Sequence, residues 1–154
     1  MPQHRFGGQI EAELGLSVAP GVTAPVNDLL VMAGSPYTMS VDDSGKTFLV
    51  APGGAGPLLV ALPTPVGNPG LTYRFVASVA GGGAPADNVV FTCGGALFRG
   101  TIVNGFPATL ICTGTTLTMV GNLYVVGDSV EFFSAGGIWC VRAVTSVNVA
   151  ITIA

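Results

Sequence analysis

Gly127-Asp128-Ser129-Val130 places a serine directly after an acid, the kind of block from which a serine esterase launches its nucleophile. A serine hydroxyl attacks an ester only when a neighbouring base removes its proton, and histidine is the usual base. The chain holds one histidine, His4, far upstream in a segment that reads as an arm. Without a base Ser129 is an ordinary hydroxyl, and the block reads as a turn in which Asp128 accepts hydrogen bonds from nearby backbone N–H groups. Ser44-Gly45-Lys46-Thr47 has the ending of a phosphate-binding loop. The full pattern needs a glycine five positions before Gly45, where Ser40 stands, and a helix behind it. Phe48-Leu49-Val50 reads as strand instead, so a turn is expected here too.

The remaining chemistry is thinner still. Cys93, Cys112 and Cys140 are scattered without metal-ligand spacing, and with a single histidine they supply no tetrahedral set. All three lie in apolar runs and are expected as buried thiols, although one bridge stays open because spacing cannot choose a pair. Asp42 and Asp43 could lend oxygens to a cation, but two adjacent carboxylates at a turn are ordinarily solvated. Paired carboxylates for glycosidase work would have to come from Asp128, Glu131, Asp87 and the Asp42/Asp43 pair. Trp139, Tyr73, Tyr124 and Tyr37 could build a sugar-stacking platform, but Trp139 sits in an alternating strand where core packing is expected. No catalytic residue, metal ligand or cofactor is assigned, and the chain is not expected to be an enzyme.

Composition points the same way. Of 154 residues 49% are hydrophobic and only 8% charged, where ordinary soluble domains carry roughly 25% charge. A surface so poor in charge is expected to be covered by other chains. The net charge of −3 is spread thinly and forms no basic run, which argues against nucleic acid as partner. The long uncharged run Thr47 to Tyr73 is broken by Pro52, Pro57, Pro63, Pro65 and Pro69, so it is not a membrane helix. The N-terminal MPQHRFGGQIEAEL lacks the long apolar core of a signal peptide, so the expectation is either a mature product or a protein made in a cytoplasm and exported by assembly or lysis.

Two regions must position these residues. Residues 1–27 read as an extended arm on a neighbouring subunit or, equally, a disordered tail, because Pro20 and Pro25 favour a polyproline-like path and Gly7, Gly8 and Gly15 oppose more than a short helical turn at Gln9 to Leu16. Arg5, Phe6, Ile10, Leu14, Leu16, Pro20 and Pro25 are its candidate contacts with a neighbouring subunit. Residues 28–154 read as one domain of short strands, with turn residues every 8–12 positions. Leu71 to Val79 alternates cleanly. Val125 to Arg142 folds back through Ala135-Gly136-Gly137 and puts Val130, Phe132 and Ser134 on one face, with Phe132, Trp139, Tyr73 and Phe75 as its core. Hairpins are also expected around Asp43-Ser44-Gly45, Gly94-Gly95 and Gly114. A last strand is expected over Val144 to Ile153, and a mobile loop over Ala80 to Asp87. The fold class is all-β, an antiparallel sandwich or barrel, jelly-roll-like.

The order VDDSGKTFLV, LPTPVGNPGLTYRFV, NVVFTCGGALFRGTIV and VGDSVEFFSAGGIWCVR resembles virion structural proteins of tailed phages and other large DNA viruses. In those proteins an Asp/Gly turn leads into a strand, an LP…GLxYxF segment follows, and a GDxVxFxSxGGxWxV hairpin closes the domain. The likeness covers roughly Val41 to Val144, and Cys140 stands where that pattern often has Tyr. The resemblance implies an assembly role: a capsid decoration (cement) protein on the virion exterior, bound to the major capsid protein or other virion proteins, commonly as a symmetric trimer. The alternative is a tail-fibre, spike or carbohydrate-binding module that recognises a receptor glycan.

Overall fold

A pleated strand turns alternate side chains to opposite faces, so a strand covered on one side buries every second residue. The computed structural model describes residues 30–32, 35–52, 56–81, 87–104, 109–147 and 149–154, without the side chains of 30–32, 104 and 109–112. It contains twelve such strands. In chain order they are β1 (Leu30–Met32), β2 (Tyr37–Thr38), β3 (Thr47–Val50), β4 (Leu58–Ala61), β5 (Thr72–Ala77) and β6 (Val89–Thr92). The second half adds β7 (Phe98–Asn104), β8 (Thr109–Gly114), β9 (Thr116–Met119), β10 (Ser129–Ala135), β11 (Ile138–Thr145) and β12 (Ile151–Ile153). The arm, with Arg5, Phe6, Ile10, Leu14, Leu16, Pro20 and Pro25, lies outside the described residues, as do residues 82–86 of the expected mobile loop.

The strands form a sandwich of two sheets, ordered β1-β3-β5-β10-β11-β7-β8 and β12-β9-β6-β4-β2. The sheets are mixed rather than antiparallel throughout. β1, β3 and β5 run parallel in the first sheet, β2, β4 and β6 run parallel in the second, and β7 runs parallel to β11. From β1 to β6 the chain alternates between sheets at every step, so each strand returns beside the one two before it. The strand of the opposite sheet is the crossover that parallel neighbours require.

This winding overturns three expected hairpins. At Asp43-Ser44-Gly45 a short 3-10 turn (Val41–Asp43) carries the chain from β2 in one sheet to β3 in the other. Cys93-Gly94-Gly95-Ala96, with φ 60° and 87° at the two glycines, is likewise a corner between sheets, from β6 to β7. Gly114 ends β8 before β9 crosses over, and a Cβ there would overlap the backbone of Ala154, whose carbonyl accepts from Thr115 and Thr116 N–H. The expected last strand is also two. β11 stops at Thr145, Val149 takes a φ of 56°, and β12 resumes in the other sheet.

The hairpin of β10 and β11 forms as the sequence predicts. Ala135 pairs with Ile138, leaving a two-residue loop, Gly136-Gly137, at φ 58° and 79°. Both angles are positive, as the tight turns that match strand twist require. Its inner face meets Tyr73, Phe75 and Ala77 of β5, all buried. Phe132 lies at the centre of a ring cluster, with centroids 5.8, 5.1, 5.4 and 6.3 Å from Phe75, Phe91, Phe98 and Trp139. Trp139 is fully buried, and its indole N–H donates to the carbonyl of Pro63 at 3.1 Å. The buried Ser134 hydroxyl accepts from Leu71 N–H at 2.8 Å, so the proline-rich loop is fixed to the hairpin.

Burial also sets an alkaline limit. Desolvation pushes the Tyr73 phenol up to about 12, helped by the charges of Asp43 and Asp42, and pushes the Cys93 thiol up to about 11. A raised folded pKa favours the fold fully below the unfolded value, and the gain is lost as pH rises through the folded one. With ordinary values of 9.0 for the thiol and 10.0 for the phenol, stability should fall between about pH 9 and 12. Tyr73→Phe loses a hydrogen bond to the Ser40 carbonyl at 2.7 Å. It should cost about 1 kcal/mol at pH 7, yet fall less steeply than the parent in urea titrations above pH 10. An unchanged alkaline slope would show that Tyr73 ionises freely in the fold.

Candidate functional site

Asp128 is buried and its carboxylate is occupied: Oδ2 accepts from Val125 N–H at 3.1 Å, and Oδ1 accepts from Ser146 N–H at 2.8 Å and the Ser146 hydroxyl at 2.9 Å. It ties the start of β10 to the end of β11, which is a structural task. Ser129 sits on the open face of the first sheet between Val76 and Val144, neither of them a base. In the phosphate-loop-like stretch, Lys46 Nζ is 2.8 Å from Asp43, Gly45 N–H donates to the Thr72 carbonyl, and Ser44 Oγ accepts from Thr72 N–H. Strand β3 follows where a helix would be needed.

Asp43 also accepts from the backbone N–H and hydroxyl of Ser40, at 2.9 and 3.0 Å. Partial burial raises its pKa, but the bonds from Lys46 and Ser40 outweigh that and hold the carboxyl below its ordinary value. Asp43 therefore caps the short 3-10 turn, with Asp42 beside it in the same turn. Among the described residues no three His, Cys, Asp or Glu side chains gather to hold a metal. Cys93 is buried and Cys140 half-buried, both free thiols, whereas the Cys112 side chain lies outside the described set. Trp139, Tyr73 and Tyr124 are all buried, so the aromatic sugar platform does not exist as a surface. The rings it needed serve the core because the alternation that makes them conspicuous is the alternation that turns them inward.

What the fold leaves open is the outer face of the seven-stranded sheet. Register places Thr47, Arg74, Glu131, Arg142 and Thr101 in one row across β3, β5, β10, β11 and β7. Arg74 Nε lies 3.4 Å from Glu131 Oε1, with both side chains about half exposed (54% and 46%). An ion pair so exposed contributes little stability, so its consequence is the charge it shows to a partner. Beyond that row lie Leu49, Val76, Ser129, Val144 and Val103; on its other side lie Thr72, Phe133, Cys140 and Arg99. Phe133, Val144 and Val103 are 47%, 44% and 41% exposed. Two shallow depressions, of about 440 and 240 Å³, share Arg74, Glu131 and Arg142 and extend towards Phe133 and Cys140 on one side and Ser129 and Val144 on the other.

Arg74, Arg99 and Arg142 are three of the five basic residues of the chain, and Glu131 is the one acid among them. An acidic protein thus carries a locally cationic, partly apolar sheet face. Sequence reading missed it because its members lie on separate strands. Their common row exists only once β5, β10, β11 and β7 are side by side. The signal that was present, an arginine on the polar side of each alternating strand, marks a face without saying that the faces align. No family model, curated protein or solved structure matches the chain. Among the described residues no helix is long and apolar enough to cross a membrane.

Proposed function

We propose that the chain is a non-enzymatic assembly module that docks on other protein subunits, and that it serves as a capsid decoration protein of a virion. The observation that carries the docking reading is the outer sheet face, where Leu49, Val76, Val144 and Val103, interrupted by Ser129, line up beside the arginines. A sheet face of a solitary soluble domain is ordinarily polar and charged. Apolar side chains in a contiguous patch with a polar border mark contact with another protein. The sparse charge of the whole chain supports the same reading, and the virion assignment rests on the sequence resemblance. The major capsid protein is then the partner, with the apolar row as contact and the arm adding reach.

The test is co-sedimentation with assembled shells of the major capsid protein. The parent chain should pellet with the shells. Val103→Asp/Val144→Asp should lower its occupancy about tenfold, since charge buried in an apolar contact must be desolvated, and deletion of residues 1–27 should lower it as well. A parent chain that stays in the supernatant, or a double variant that binds as well as the parent, would overturn the proposal.

A further inference from the structure

We propose that the arginine side of this face receives the acidic segment Ile10-Glu11-Ala12-Glu13-Leu14 of a second copy of the chain. The inference rests on reading the sheet face as a protein-binding surface and supplies one occupant for the part that the apolar row does not use.

The receptor comes first. Glu131 is engaged by Arg74, whereas Arg142 and Arg99, both exposed, have no ion-pair partner among the described residues. Cys140 is the register partner of Arg99, and Arg142 stands two residues further along β11. One strand spacing across and one same-face step along separate the two arginines by about 8 Å at their Cα atoms. With Arg74 they present three guanidiniums against one carboxylate, so a ligand bearing two carboxylates would neutralise the excess.

The occupant is identified by charge and spacing. Glu11 and Glu13 are the only two acids of this chain separated by a single residue. In extended conformation they fall on one side, about 7 Å apart, close to the arginine spacing. Guanidinium and carboxylate pair with two parallel hydrogen bonds when geometry allows. The alternating pattern Ile10, Glu11, Ala12, Glu13, Leu14 is the one that shows both carboxylates to a single surface.

Chain length allows the segment to come from a second copy. The first described residue, Leu30, opens β1, four strand positions from β11, or about 19 Å. Residues 15–29 include Pro20 and Pro25, and an extended, proline-stiffened stretch of that length spans about 46 Å. That reach is enough to bring the segment onto the face of a neighbouring copy.

The experiment uses the full chain, with self-association followed by sedimentation velocity over a concentration series. Glu11→Lys/Glu13→Lys and Arg99→Glu/Arg142→Glu should each weaken association by about tenfold or more, and so should the neutral pair Arg99→Gln/Arg142→Gln. An equimolar mixture of the two reversed proteins should restore association, because each then offers the arm that fits the other's face. A parent that is monomeric throughout, association indifferent to the reversals, or a mixture that fails to recover would overturn the proposal. A chain that binds capsid shells yet stays monomeric would remove the arm contact and leave the docking function standing.

Discussion

Phe132→Ala should cost this protein about 3–5 kcal/mol of stability and lower its melting temperature by about 10 °C or more. The side chain lies between the sheets, with four aromatic rings around it at centroid distances of 5.1 to 6.3 Å. Three of those partners, Phe75, Phe98 and Trp139, belong to its own sheet, while Phe91 comes from the opposite one. Removing the ring therefore opens a cavity at the junction of the layers, where rigid neighbours collapse poorly into the space. Domains of this size are stable by about 5–15 kcal/mol, so a large share of the margin would go. Phe132→Leu keeps most of the apolar volume and should lose clearly less. Thermal and urea unfolding of the three proteins decide the matter. An alanine variant melting within about 2 °C of the parent would refute the ring cluster as the centre of the fold.

Asp128→Ala should cost about 2–4 kcal/mol for a different reason. Its carboxylate accepts the N–H groups of Val125 and Ser146 and the Ser146 hydroxyl, in a place that is 2% exposed. Deleting the acceptors leaves two backbone donors and the Ser146 hydroxyl without their partners in a part-buried place, and a donor kept from water is penalised. Asp128→Asn retains one acceptor oxygen and should recover about half of the loss. Amide hydrogen exchange gives a local readout: protection should fall at Val125 and Ser146 in the alanine variant before it falls in β5 or β10. Unchanged protection at both would mean that these hydrogen bonds do not hold the strand ends together. The same result bears on the esterase-like block, since an aspartate spent on backbone donors is not available to orient a base.

The predicted effects show how much the chain discloses by itself. Alternation in Leu71 to Val79 set Tyr73, Phe75 and Ala77 on one face, which the structure turns inward while Val79 stays exposed, and the glycines after Ala135 marked the β10–β11 hairpin. Both are short-range properties, fixed by the pleat and by the angles that glycine permits. The strand behind Lys46, where a phosphate-binding loop needs a helix, was also visible in Phe48-Leu49-Val50.

What tertiary structure alone decided is which strand lies beside which. Gly94-Gly95 has the composition of a hairpin and makes a corner between sheets instead, because a turn sequence fixes local angles and not the partner that the next strand finds. Phe98 gains more by crossing to the layer of Phe132 than by pairing back on β6, and such a choice depends on contacts distant along the chain. The arginine row follows from it. Arg74, Glu131, Arg142 and Arg99 become neighbours only through the order β5-β10-β11-β7, so the composition could announce a surface poor in charge while the pairing of strands determined where its few cations would meet.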